Sequence, residues 1–213
     1  DEVRLPTRVT NYILGKVTID RSIIDVAELR SDPIPLEDVV LPSETLNDVR
    51  QIVEHHAHQA AAGRTFLAQD ATSQALVLQF SGPPGTGKTQ LTRAVAHHLG
   101  RRLLQVDCTK LLSLPENTFT AAMDEAFFEA EVYEAVLCLD HAEAVFGEGN
   151  PRLPTIYRRF ERFGGLIILV TNNPKALDFS LERWVAFSVR FDIPDAELRE
   201  RLWRMHLPTN APL

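Results

Sequence analysis

The chain has 213 residues, 45% of them apolar and 24% charged, enough to bury a real core in one domain or in one domain with an appendage. Its 29 acidic side chains outnumber its 22 basic ones, a net charge of −7, so it lacks the basic field that neutralising a nucleic-acid backbone demands, and nucleic acid is not expected as its partner. No apolar run reaches the roughly 18 to 20 residues of a membrane-spanning helix and no signal-peptide pattern opens the chain, so the reading is a cytoplasmic protein without a membrane partner.

Residues 1–35 mix short apolar pieces, Tyr12-Ile13-Leu14, Val17-Thr18-Ile19 and Ile23-Ile24, with charges, and end on Ser31-Asp32-Pro33-Ile34-Pro35. The two prolines predict an extended linker, with a strand or short helix before it on the edge of a domain covering 36–213. The start at Asp1, without a methionine, reads as a piece of something longer. A helix is expected over about 43–63, with Ser43 as N-cap and Glu44 in its first turn. His55 and His58 share a face of it, but no third ligand accompanies them, and solvated imidazoles are the reading.

The apolar run Ala75 to Phe80 predicts a strand and Lys88 to Leu99 a helix, with Ser81-Gly82-Pro83-Pro84-Gly85-Thr86-Gly87-Lys88-Thr89 between them. A second strand is expected over 102–107, and a helix over 116–130 whose Ala, Phe and Met spacing points to core. Ala135 to Leu139 is a near-continuous apolar run, the mark of a parallel strand covered on both faces, and it ends at Asp140. A helix over about 155–163 precedes a similar run, Leu166 to Val170, that ends in Thr171-Asn172-Asn173. A short helix over Asp178 to Trp184, a strand over Phe187 to Phe191 and a helix over Asp195 to His206 follow. Cys108 and Cys138 fall beside or within predicted strands and have no metal or redox spacing, so buried free thiols are expected. Strands alternating with helices imply an α/β fold with a parallel sheet and a ligand at the carboxyl ends of its strands.

The stretch Gly82 to Thr89 has the spacing of a phosphate-binding loop in the strand-loop-helix context such a loop requires. Gly82 and Gly87 let the backbone curl until successive amides point inward, a curl that residues with a Cβ resist. Lys88 adds a point charge for the β- and γ-phosphates, Thr89 a hydroxyl for Mg²⁺, and the next helix its positive N-terminus. Asp140 and Asn172 end neighbouring apolar strands at the same place. An acid there suits a Mg²⁺ coordination shell and an amide suits the attacking water. Taken singly, Asp140 would also serve as a helix N-cap and Asn172 as a turn residue before Asn173-Pro174.

Together with Asp178-x-x-Leu181-x-Arg183 and Phe191-Asp192-Ile193-Pro194-Asp195, these motifs resemble the AAA+ ATPases in order and spacing, from about Leu36 to Leu207. The bacterial members with Asp-Val-Val-Leu-Pro before the first helix, here Asp38 to Pro42, are the most similar. The resemblance implies a three-layer αβα P-loop NTPase core with a parallel five-stranded sheet flanked by helices. It implies ATP and Mg²⁺ as ligands, with Gly82, Pro83, Pro84, Gly85, Thr86, Gly87, Lys88 and Thr89 as Walker A, and Val39 and Val40 near the adenine. Asp140 is then the Walker B aspartate, sharing the metal with Thr89, Asn172 is sensor 1, and Arg183 is an arginine finger reaching a neighbour's ATP. The protein would be a homo-oligomeric ring, a hexamer, or an assembly with related subunits, acting on a protein complex.

The departures carry equal weight. The family's glutamate after the Walker B aspartate is His141 here, and an imidazole is a bulkier base with its nitrogen elsewhere, so slow or absent hydrolysis is expected. Glu143 falls where the family often has a second acid. The central pore loop reads Leu114-Pro115-Glu116-Asn117, without the aromatic that grips a threaded chain. The paired arginines of the subunit edge become Arg183-Trp184, and the chain stops at Leu213, before the helical lid. Two functions stay open: an ATPase that remodels or assembles a protein complex, and a catalytically inactive nucleotide-binding structural subunit. A P-loop kinase or GTPase is disfavoured, since no guanine-reading Asn-Lys-x-Asp is present.

Overall fold

The computed structural model describes residues 19–65 and 75–207; the apolar pieces at Tyr12 and Val17 lie outside them. Six strands form one sheet: β1 (Ala27–Arg30), β2 (Leu76–Ser81), β3 (Leu103–Asp107), β4 (Val136–Asp140), β5 (Leu166–Thr171) and β6 (Val185–Arg190), in the order β1-β3-β4-β5-β2-β6. The expected five parallel strands are β2 to β6, and β1 adds an antiparallel edge, Ala27 facing Val106 and Arg30 facing Leu103. The helices are α1 (Ser43–Thr65), α2 (Lys88–His98), α3 (Cys108–Leu112), α4 (Glu116–Val132), α5 (Leu153–Arg162) and α6 (Ala196–His206).

Period-two alternation divides the central strands between two cores. Leu137, Leu139, Ile167 and Leu169 face the α4–α5 layer, while Val136, Cys138, Ile168 and Val170 face α1 and α2. Being covered on both faces is what makes β4 and β5 read as unbroken apolar runs. The α4–α5 side is aromatic: Phe127 meets Phe163 edge-on at 5.3 Å and Tyr157 stacks on Trp184 at 5.6 Å. Opposite, α2 contributes Leu91, Ala94 and Val95, all fully buried in the core between that helix and the sheet.

Two elements depart from expectation. Instead of a helix over 178–184 there is a single 3₁₀ turn, Phe179–Leu181, because the Asp178 carboxylate caps Ser180 N and β6 begins at once at Val185. The short α3 was not anticipated; the Asp107 carboxylate starts it by accepting from the amides of Thr109 at 2.9 Å and Lys110 at 3.1 Å. Cys108 opens α3 and Cys138 lies in β4, both buried and free. His58 Nδ1 lies 2.7 Å from the Glu54 carbonyl and His55 Nε2 lies 2.8 Å from Gln59, both within α1. No helix among the described residues is long and apolar enough to cross a membrane.

Candidate functional site: the phosphate loop and the strand ends

The loop after β2 is shaped by its glycines. Gly82 has φ +143° and lies so close to β6 that a Cβ there would sit 2.1 Å from the Phe191 carbonyl oxygen. Gly87, at φ +102°, occupies the N-cap of α2 in a left-handed conformation and turns the chain into the helix. Lys88 follows, only 5% exposed, and its ammonium donates to the carbonyls of Gly82 and Pro83, each at 2.7 Å. The loop is thus tied by its own lysine. Desolvation pulls the Lys88 pKa below its usual value, and the charges of Asp140 and then Glu143 oppose that pull, which puts both acids within electrostatic reach of the ammonium.

Pro84, Gly85, Gly87, Lys88, Thr89 and Gln90 from loop and helix meet Asp140, His141, Val170 and Asn172 from the strand ends around a cavity of about 390 Å³. The structure therefore brings together most of the residues singled out from sequence, with Asp140 and Thr89 lining one space. Pro83 is bonded to the loop lysine and to Thr86, whose hydroxyl donates to the Pro83 carbonyl at 2.8 Å. Val39 is buried in the α1–α2 core and Val40 is half-buried, and neither lines the cavity; the nearest link is Gln90, whose amide donates to the Asp38 carbonyl at 3.4 Å.

The half-buried Asp140 is held from two sides: Oδ2 accepts from Gln105 Nε2 at 2.9 Å and Oδ1 from the His141 amide at 2.9 Å. His141 has φ 55° and ψ 45°, a left-handed conformation uncommon without glycine, and its side chain is exposed. It starts the 3₁₀ turn Ala142–Ala144. That turn carries Glu143 toward β5, where Oε1 accepts from the Asn172 amide at 3.4 Å, while Oε2 is buried without a hydrogen-bond partner. Sequence reasoning missed Gln105 as a support for Asp140; its only signal is an amide interrupting an apolar strand two residues before its end.

A family model for the "ATPase family associated with various cellular activities (AAA)" matches residues 78–195, more than half of the chain and the whole of this site from β2 to the start of α6. The chain belongs to the AAA ATPase family. Solved AAA domains share the fold: that of FIGL-1 in complex with ADP superposes with a TM-score of 0.66 at 20% identity, over 89% of this chain and 67% of that one. The FIGL-1 AAA domain in another crystal structure gives 0.63 at 19%, over 88% and 66%. A structure described as the basis for katanin self-assembly gives 0.64 at 21%, over 89% and 65%. The chain spans about two thirds of the length of these domains.

Within this AAA core Arg183 does not line the loop cavity. It is exposed, with its guanidinium 5.3 Å from the Trp184 ring and 5.6 Å from the Tyr157 ring, so cation–π contact with the aromatic core presents it on the surface. In the segment read from sequence as the pore loop, Glu116 pairs with Arg152 at 2.8 Å, and that guanidinium lies 4.3 Å from the Phe119 ring centre.

Proposed function

We propose that this AAA domain binds Mg-ATP in the cavity between the phosphate loop and the strand ends, and hydrolyses it in a ring of like or related subunits that remodels or assembles a protein complex. The observation that carries the reading is the convergence of Lys88, Thr89, Asp140 and Asn172 on one cavity. A hydroxyl and a carboxylate are hard oxygen donors, and each Asp140 oxygen accepts a single hydrogen bond and so keeps a lone pair, which fits Mg²⁺. When bound, the cation would neutralise phosphate charge. Lys88 would exchange the loop carbonyls for the β- and γ-phosphates, Asn172 would orient the attacking water, and Arg183, exposed and outside its own cavity's lining, would serve a neighbour's site. Self-assembly, described for katanin, supports the ring. A cytoplasmic setting, a hexameric count and the absence of nucleic-acid and membrane partners belong to the same reading.

A second reading, a nucleotide-binding subunit that needs ATP for assembly only, is favoured by one observation: His141 stands exposed in a left-handed backbone conformation where a water-activating glutamate is expected. Phosphate release by wild type and by Lys88→Ala decides between the two. Release above background that vanishes in Lys88→Ala supports hydrolysis; equal rates in both dispose of it. A thermal shift with Mg-ATP that Lys88→Ala lacks, without phosphate release, leaves the assembly reading.

A further inference from the structure

We infer that Glu143, rather than His141, is the base that takes the proton of the attacking water, an inference that rests on the ATPase reading above. A base at this site needs an acceptor atom not already committed. Each oxygen of Asp140 already accepts one hydrogen bond, from Gln105 or from the His141 amide, and the lone pair each keeps is the one the cation would take. The left-handed backbone of His141 leaves its imidazole exposed at the edge of the cavity. The 3₁₀ turn that follows sends residue 143 back to the sheet, and the Asn172 amide anchors Glu143 Oε1 at the end of β5. Glu143 stands just behind the cavity's lining: Oε1 is on the amide of Asn172, which lines it, and Oε2 is left buried with no donor. A desolvated carboxylate oxygen without a partner is costly in a purely structural role, and a water held in front of it removes that cost.

In this step the water oxygen forms a bond to the γ-phosphorus while the bond from that phosphorus to the β,γ-bridging oxygen breaks. The bonding electron pair leaves with ADP, and one water proton passes to Glu143 Oε2 and from there to solvent. The Asn172 backbone amide donates to the same carboxylate, which links Glu143 to the end of β5.

The test is single-turnover phosphate release by the full chain with Mg-ATP, beside the thermal shift that Mg-ATP produces. Glu143→Gln keeps an acceptor for the Asn172 amide but loses basicity; it is expected to release phosphate about 10² to 10⁴ times more slowly while keeping the wild-type thermal shift. Formate added to Glu143→Ala is expected to restore at least about tenfold of the lost rate, which a structural role for the side chain would not allow. Glu143→Asp, with its carboxylate withdrawn by one methylene, reads the same point if the glutamine variant fails to fold, with a loss of about tenfold expected. A Glu143→Gln rate within threefold of wild type overturns the inference, as does formate without effect, or loss of turnover in His141→Ala with Glu143→Gln active. Wild type that binds Mg-ATP without turnover refutes both this base and the hydrolysis proposal yet leaves nucleotide binding intact. Wild type with no Mg-ATP shift refutes the binding proposal itself.

Discussion

The two walls of the cavity are made differently. The loop wall, Gly82 to Thr89, is made of backbone: its shape depends on left-handed glycines and a carbonyl pair gripping Lys88. The strand-end wall, Asp140 to Glu143 with Asn172, is made of acids held from neighbouring strands, Asp140 by the Gln105 side chain on β3 and Glu143 by the Asn172 backbone amide after β5. A wall of backbone tolerates almost no change at its glycines and almost any change at exposed side chains. A wall of side chains held in this way keeps its fold when edited and loses chemistry piece by piece.

Breaking that contrast should be easiest at Gly82. Gly82→Ala puts a methyl against the Phe191 carbonyl and is expected to cost roughly 3 kcal/mol or more, a fall in melting temperature of about 10 °C, together with loss of nucleotide binding. A melting temperature unchanged within 2 °C would show that the loop is not shaped as described. Next comes Lys88→Ala, in which the Mg-ATP stabilisation disappears: at a hundredfold excess over Kd, wild type gains about 2.7 kcal/mol and the variant nothing, by thermal melting. On the other wall, Gln105→Ala frees Asp140 Oδ2 and should raise the Mg²⁺ concentration for half-maximal stabilisation by ATP about tenfold, with little change in melting temperature without nucleotide. An unchanged Mg²⁺ requirement would remove Gln105 from the site. The smallest effect is expected from His141→Gly, which relieves the left-handed backbone and should stabilise by about 0.5–1 kcal/mol in denaturant melts. Destabilisation there would mean that the imidazole makes a contact worth more than the strain.

The same contrast explains what could be read before any coordinates. The loop wall is contiguous in sequence, so Gly82 to Thr89 reports its own geometry, and the apolar runs of β4 and β5 report their burial without reference to anything else. AAA membership and the parallel sheet followed from those features and are what the family match and the fold likeness bear out. The strand-end wall was only half visible. That Gln105 supports Asp140 depends on β3 lying beside β4, with Asp107 level with Asp140, and neither sheet order nor register is written in any local pattern. The helix expected over 178–184 failed for a related reason: a capping aspartate and a buried Leu181 served a single turn equally well, and helical spacing over so short a span cannot tell the two apart. Arg183 was singled out by spacing alone, and the aromatic stack that presents it came into view only with Tyr157 and Trp184 in place.

The cysteines give the sheet a built-in clock. Cys138 lies under the α1–α2 layer and Cys108 under the α4–α5 layer, so each side of the β-sheet carries a single thiol with no exposed surface. Burial drives both thiol pKa values well up, leaving almost no reactive thiolate while the layers stay closed. The rate at which a maleimide labels each sulfur therefore times the lifting of its own layer, and the ratio of the two rates tells which side of the domain breathes first.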